Sequence, residues 1–264
     1  MLVKKVPEFS PPSELLEGKN ILITGAGSGI GRQLAIDFAQ KGANLILMSK
    51  DFKKLMSVQD QIKGKNNKEP LIIEFDFLKA KDKEYKRLSE GIDKHISCLD
   101  GLVHVAAVLG YISPFMSTSL GQLKTVMEVN FESNFLLTQL LMPQLLKARS
   151  PSVIFTSSGV GRRPRALWTS YGISKGAVEA FMKTLADEYE NNIRFCTYNP
   201  GATKTAMRAQ AFPAEDPNTV KDPNKLTNDF LWLLSEENNT TGIAFDYSKS
   251  VSYTHLTLPT TGVV

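Results

Sequence analysis

Only two cysteines, Cys98 and Cys196, occur in 264 residues, and neither belongs to a CxxC pair or a spaced His/Cys set. A disulfide scaffold is excluded, and both thiols are expected as reduced core residues. The three histidines, His95, His104 and His255, offer no metal-ligand spacing, so no metal is expected. Charge of one sign is also scarce. With 31 Lys+Arg against 27 Asp+Glu the net charge is +4, too small and dispersed for a nucleic-acid binder that tracks phosphates. No long hydrophobic run exists: residues 102–112 are interrupted by His104 and Gly110 and fall short of the roughly 20 a spanning helix needs. Pro7, Glu8, Pro11 and Pro12 stand where a secretory leader would be apolar, so the expected location is cytoplasmic, with no membrane partner.

What is present is ordinary soluble composition, 42% hydrophobic and 22% charged, enough to bury a core without staples. Short β-type runs begin at Asn20, Asn44, Leu71, Gly101, Ser152 and Ile193. Helix-period stretches separate them, at 33–40, 52–64, 85–96, 122–147 and 171–190. Strand and helix in alternation predict an α/β fold: one doubly wound parallel sheet with helices on both faces. A further run from Thr241 to Asp246 brings the sheet to about seven strands. The expected organisation is an extension at 1–18, one domain at 19–247 and an atypical tail at 248–264, Thr-rich and nearly uncharged, read as disordered or foreign sequence. The stretch 206–225, with Pro213, Pro217 and Pro223, is expected to be an irregular lid.

Directly after the first run comes Thr24-Gly25-Ala26-Gly27-Ser28-Gly29-Ile30-Gly31, opening a helix. Glycines there let the backbone approach a pyrophosphate, whose charge is stabilised by the free N–H groups of the helix N-terminus. Ile30 breaks the GxGxxG spacing and no GK[ST] follows, which leaves GxxxGxG at Gly25, Gly29 and Gly31. A plain tight turn is the bland alternative. About 20 residues on, where a ribose selector belongs, stand Ser49, Lys50 and Asp51. Asp76 ends the third run and is either an adenine contact or a helix cap.

Tyr171 and Lys175 stand four apart at a helix start, hence on one face. An ammonium beside a phenol favours the phenolate, so Lys175 is expected to tune Tyr171 as a general acid/base. Ser158, thirteen residues upstream, ends the fifth run at the sheet edge where such folds bind ligands. Asn130 is polar on an otherwise apolar helical face, and Asn199-Pro200-Gly201-Ala202-Thr203-Lys204-Thr205 follows the sixth run. Each has a plain structural alternative: a core amide for Asn130, turn chemistry for the rest.

From about Lys19 to Asp246 these motifs together resemble the main branch of the short-chain dehydrogenase/reductase family, and within it a bacterial subgroup of poorly defined substrate. The resemblance implies a single-domain Rossmann fold holding a nicotinamide cofactor. In it Tyr171 exchanges the proton, Lys175 serves the nicotinamide ribose and Tyr171, Ser158 orients the carbonyl, and Asn130 completes a water-linked relay. Gly25, Ser28, Gly29, Ile30, Gly31, Lys50, Asp76, Ala106, Pro200, Gly201, Thr203 and Thr205 would join Tyr171 and Lys175 around the cofactor. The basic Lys50 implies NADP(H) as the preferred cofactor; Asp51 keeps NAD(H) as the alternative.

Where the family usually has Asn-Asn-Ala-Gly, His104-Val105-Ala106-Ala107 keeps only Ala106, which puts cofactor affinity in question. The leading reading is an oxidoreductase interconverting a carbonyl and an alcohol of small size, working as a homodimer or homotetramer. That departure motivates the competing one, a catalytically silent dinucleotide-binding sensor or scaffold. Arg162, Arg163 and Arg165 alone would support nucleic-acid binding, and are read instead as a loop beside the cleft. Arg163 and Arg165 are expected to receive an anionic group on the substrate, Trp168 to wall it, and Arg208 and Phe212 to close from the lid.

Overall fold

The computed structural model describes residues 2–63 and 68–247; the tail at 248–264 lies outside them. Eight strands form one sheet in the order β1-β8-β7-β6-β5-β2-β3-β4, every pairing parallel. They are β1 (Val3–Lys5), β2 (Asn20–Thr24), β3 (Asn44–Ser49), β4 (Leu71–Glu74), β5 (Gly101–His104), β6 (Ser152–Thr156), β7 (Arg194–Asn199) and β8 (Ile243–Asp246). Central strands β5 and β6 are buried at every position, as expected where helices cover both faces.

On one side α1 (Gly29–Gln40), α2 (Phe52–Lys63) and α9 (Thr227–Leu234) bring Leu34, Phe38, Val58 and Phe230 against Ile21, Ile23 and Tyr198. On the other, α3 (Asp82–Asp93), α5 (Ser133–Leu145) and α7 (Thr169–Glu188) pack Leu88, Leu137, Leu141, Val178 and Met182 onto Leu22, Leu102 and Phe195. Strand order reverses at β2, flanked by β3 and β5, so the crevice at the carboxyl ends of β2 and β5 is the natural ligand site.

Three features depart from the sequence reading. The eighth strand comes from the first residues: β1 joins β8 through Val3↔Ala244, Lys4↔Phe245 and Lys5↔Asp246, and Val6 beyond it is buried. Its three exposed residues carry no alternation, so the pairing had no sequence signature. The stretch 122–147 is not one helix. A π-helical turn, Glu128–Glu132, separates α4 (Leu120–Met127) from α5. Side chains cover its loosened carbonyls, Ser133 Oγ donating to Val129 O (2.7 Å) and Asn134 Nδ2 to Asn130 O (3.0 Å). The expected irregular lid contains α8 (Ala206–Ala211) and two 3₁₀ turns, Pro217–Thr219 and Pro223–Leu226. Between Ser158 and α7 lies the four-residue α6 (Gly159–Arg162).

Deletion of residues 2–6 exposes the edge of β8 and strips buried Val6, so it is expected to destabilise the fold by about 2 kcal/mol in a thermal melt. An unchanged melting temperature would show that β1 contributes nothing.

Candidate active site

The glycine turn is shaped by close approach. Gly25 has φ +68°, and a β-carbon there would come 2.9 Å from Ala106 N and Cα. On Gly31 a β-carbon would overlap the Gly25 carbonyl oxygen, so the first turn of α1 lies directly on the loop. That turn carries no acidic residue, and Ser28 makes no side-chain cap, so its N–H groups and positive helix end face the cleft without a resident anion. Opposite runs the segment after β5. Thr24 Oγ1 accepts from Val105 N (3.0 Å) and Ala106 N (3.1 Å), tying this segment to the glycine turn. The main chain at Val105 and Ala106 is thus fixed without any side-chain amide at position 105.

A cleft of about 1650 Å³ spans these elements, and Lys50, Asp76, Ala106, Ser158, Tyr171, Lys175, Gly201, Thr203 and Thr205 all line it. Gly25, Ser28, Gly29, Ile30 and Pro200 do as well, whereas Gly31 supports the turn from beneath. Lys50 is exposed and has no ion-pair partner among the described residues. Asp51 is turned to other work: its carboxylate accepts from Lys54 N (3.1 Å), which holds it below its usual pKa, and pairs with Lys54 Nζ (3.4 Å). Asp76 Oδ1 accepts from Leu78 N (3.1 Å) and so also closes its own turn. Thr203 Oγ1 bonds the carbonyls of Pro200 and Gly201, and Thr205 Oγ1 caps α8 by accepting from Arg208 N (3.1 Å). Thr156 Oγ1 and Ser157 Oγ, also in the cleft wall, are buried without a partner among the described residues.

Tyr171 and Lys175 share the cleft-facing side of α7, and Ser158, just past the end of β6, lines the same cleft. Burial pushes the Tyr171 phenol up to about 12, with the Ser158 bond opposing. Lys175 is only 2% exposed; its Nζ donates to Thr156 O (2.8 Å) and lies 5.7 Å from the Tyr171 ring centre. Burial brings its ammonium down to about 8, opposed by Glu179. In the protein alone, burial sets the direction of the Tyr171 shift, and the Lys175 ammonium is held by the Thr156 carbonyl. The Tyr171 hydroxyl otherwise faces Met207 Sδ of α8 at 4.0 Å.

Asn130 sits in the π-helical turn with no exposure. Its amide bonds Val108 N (2.8 Å), Val108 O (2.9 Å) and Ser174 Oγ (3.0 Å), fastening the cleft wall to α7. The side chain is fully used there, and Asn130 stands behind the cleft rather than among the residues lining it. His104 is a core residue: it stacks on Phe155 at 4.9 Å, shares a hydrogen bond with Thr138, and burial drives its pKa to about 3.

On the substrate side Arg163 and Arg165 are exposed on the rim of the cleft. Trp168 packs between Tyr171 and Phe212, 5.9 Å from each. Arg208 is not a free cation: it forks onto Glu215 (2.7 and 2.6 Å) and lies 3.7 Å over the Phe212 ring, bracing the lid. Arg162 lines the cleft with them, but its guanidinium is committed to Glu179 and Asp246. Lys221, which sequence reasoning missed, also lines the cleft. It donates to Ala202 O (2.6 Å), sits over Tyr247, and is brought down to about 8 by burial. Nothing in its Pro-flanked context signals this position.

Thr24→Val removes the acceptor of two main-chain N–H groups and is expected to destabilise the fold by about 2 kcal/mol in chemical denaturation. A loss below ~0.5 kcal/mol would mean that the hydroxyl does not hold the wall.

Among the described residues no helix is long and apolar enough to cross a membrane, and no group of three or more His, Cys, Asp or Glu could hold a metal ion. Residues 19–216 match the short chain dehydrogenase family. The chain is 40% identical over 239 residues to the uncharacterized oxidoreductase YciK of Escherichia coli K12, covering 90% of this chain and 95% of that one. The solved structure of that oxidoreductase superposes with a TM-score of 0.89 at 39% identity, over 91% of this chain and 99% of that one. A short chain dehydrogenase from Escherichia coli CFT073 complexed with NADPH superposes with a TM-score of 0.88 at 40% identity, over 89% and 99%. The family match over most of the chain and the 40% identity to YciK show that the chain belongs to the short-chain dehydrogenase family.

Proposed function

We propose that the protein is an NADP(H)-dependent oxidoreductase that interconverts a carbonyl and an alcohol. The carrying observation is the convergence of Tyr171, Ser158 and Lys175 on one wall of a cleft whose opposite end is an uncapped helix N-terminus. The NADPH complex of the Escherichia coli relative supports the cofactor, as does Lys50, unpaired in the cleft while Asp51 is committed to Lys54.

The first turn of α1 would hold the pyrophosphate, and Lys50 the 2′-phosphate. The nicotinamide supplies a hydride when bound. Ser158 Oγ and the Tyr171 hydroxyl converge where a carbonyl oxygen would be held between them. With its pKa raised to about 12, the phenol holds its proton at neutral pH, the form from which a carbonyl oxygen would be protonated. Lys175, largely charged at neutral pH, stabilises the phenolate left behind. Asn130 keeps the wall at Val108 fixed to α7 while this happens. Arg163 and Arg165 suit a substrate with an anionic group, and Trp168 with Phe212 an apolar body of modest size.

Three measurements test this reading. Tyr171→Phe should lower kcat at least ~100-fold on a carbonyl substrate while NADPH binding is retained; wild-type turnover would eliminate the mechanism. NADPH should bind more tightly than NADH, and Lys50→Ala should narrow the gap by about 1 to 3 kcal/mol in a titration. Equal wild-type affinities would refute the role of Lys50. Arg165→Ala should raise KM for an anionic carbonyl and spare its neutral analogue; equal effects would remove the anionic substrate.

A further inference from the structure

Arg162 donates to four acceptors on three elements. These are Glu179 Oε1 (2.6 Å) on α7, Thr197 Oγ1 (3.1 Å) on β7, and Asp246 Oδ1 (2.6 Å) and Phe245 O (3.2 Å) on β8. The Arg162 and Glu179 side chains are 7% and 6% exposed. Thr197 Oγ1 in turn donates to Glu179 Oε2 (2.7 Å), so both carboxylate oxygens are held.

This cluster lies one helical turn behind the working pair. Tyr171, Lys175 and Glu179 follow one another at four-residue spacing along α7. Arg162 ends α6, whose N-cap is Ser158. The two helices touch closely: a β-carbon on Gly161 would come 2.7 Å from Lys175 Cβ. A branch continues through Asp246 Oδ1, which also accepts from Asn199 Nδ2 (3.0 Å), at the turn leading to Gly201.

We infer that Glu179, locked by Arg162 and Thr197, is a positioning residue for Lys175, keeping an anion fixed beside the ammonium that Tyr171 works with. The neighbours of Lys175 on other elements leave this task to Glu179. His104 on β5 is neutral because burial drives its pKa to about 3. From β6 comes only the Thr156 carbonyl, and Tyr171 on α7 is a neutral phenol. Arg162 on α6 is already shared between two carboxylates, which leaves the cluster one negative charge in excess. Burial works against the Lys175 charge and Glu179 works for it.

This rests on the reading of Tyr171 and Lys175 as the reacting pair, so the test reads Lys175 directly rather than turnover. In the full-length, cofactor-free protein carrying ¹³Cε-lysine, the Lys175 resonance is assigned by its loss in Lys175→Arg and titrated with pH. Glu179→Gln should move the midpoint down by about one pH unit, because an anion has been removed. Asp246→Asn, at the more exposed end of the cluster, keeps an acceptor for Arg162 and should move it the same way by less. An unchanged midpoint in folded Glu179→Gln overturns the proposal. If that variant does not fold, an unchanged midpoint in Asp246→Asn does so.

Discussion

The structure is organised around one buried ammonium. Lys175 is 2% exposed at the carboxyl edge of a parallel sheet, where an unpaired charge would cost several kcal/mol. Its surroundings meet that cost in layers. The Thr156 carbonyl accepts its proton, Glu179 supplies opposite charge, and Arg162 holds Glu179 against two further strands. The same contacts set the packing: Gly161 must lack a side chain so that α6 can rest on Lys175, which brings Ser158 to Tyr171. A compromise follows in the chemistry. Lys175 keeps most of its charge at neutral pH, while Tyr171, desolvated by the same walls, stays protonated.

The opposite end of the cleft obeys a complementary constraint. A helix N-terminus free of acidic residues and side-chain caps leaves N–H groups facing the cleft, favourable only when an anion or water meets them. Gly25 and Gly31 allow the backbone to close on itself there, and Thr24 fixes the facing wall. Thr156 and Ser157 add to the cleft wall buried hydroxyls without partners among the described residues. Negative charge is welcome at the helix N-terminus and positive charge is held at Lys175, an arrangement suited to a phosphate-bearing cofactor.

What could be read from the sequence was what acts within one element or across one turn. The glycine spacing at Gly25, Gly29 and Gly31 and the four-residue spacing of Tyr171 and Lys175 are local, and the strands appear as apolar runs because the sheet is covered on both faces. Contacts between distant segments left no pattern. Arg162 reads as one of three basic loop residues, yet its partners lie 17 and 84 positions away. Strand β1 is three exposed residues whose partner is near the other end of the chain. Apolar periodicity carried straight through 122–147, while the partners of Asn130 in the π-helical turn, Val108 and Ser174, lie 22 and 44 positions away. The hold of Thr24 on the main chain at Val105 likewise could not be read, because the two belong to different strand ends. The extent to which burial acts on Tyr171 and Lys175 was also invisible in their spacing, because the walls that desolvate them come from other segments.

Hydride transfer is the central claim, and isotope tracing reads it without knowledge of the physiological substrate. NADPH deuterated at either face of nicotinamide C4 is incubated with the full-length protein and a panel of anionic and neutral carbonyl compounds, and deuterium in the product alcohol is measured by mass spectrometry. The account predicts deuterium on the carbinol carbon from one face only, with none above background in Tyr171→Phe. Bound NADPH that passes no deuterium to any carbonyl, or passes it equally well in Tyr171→Phe, would contradict it.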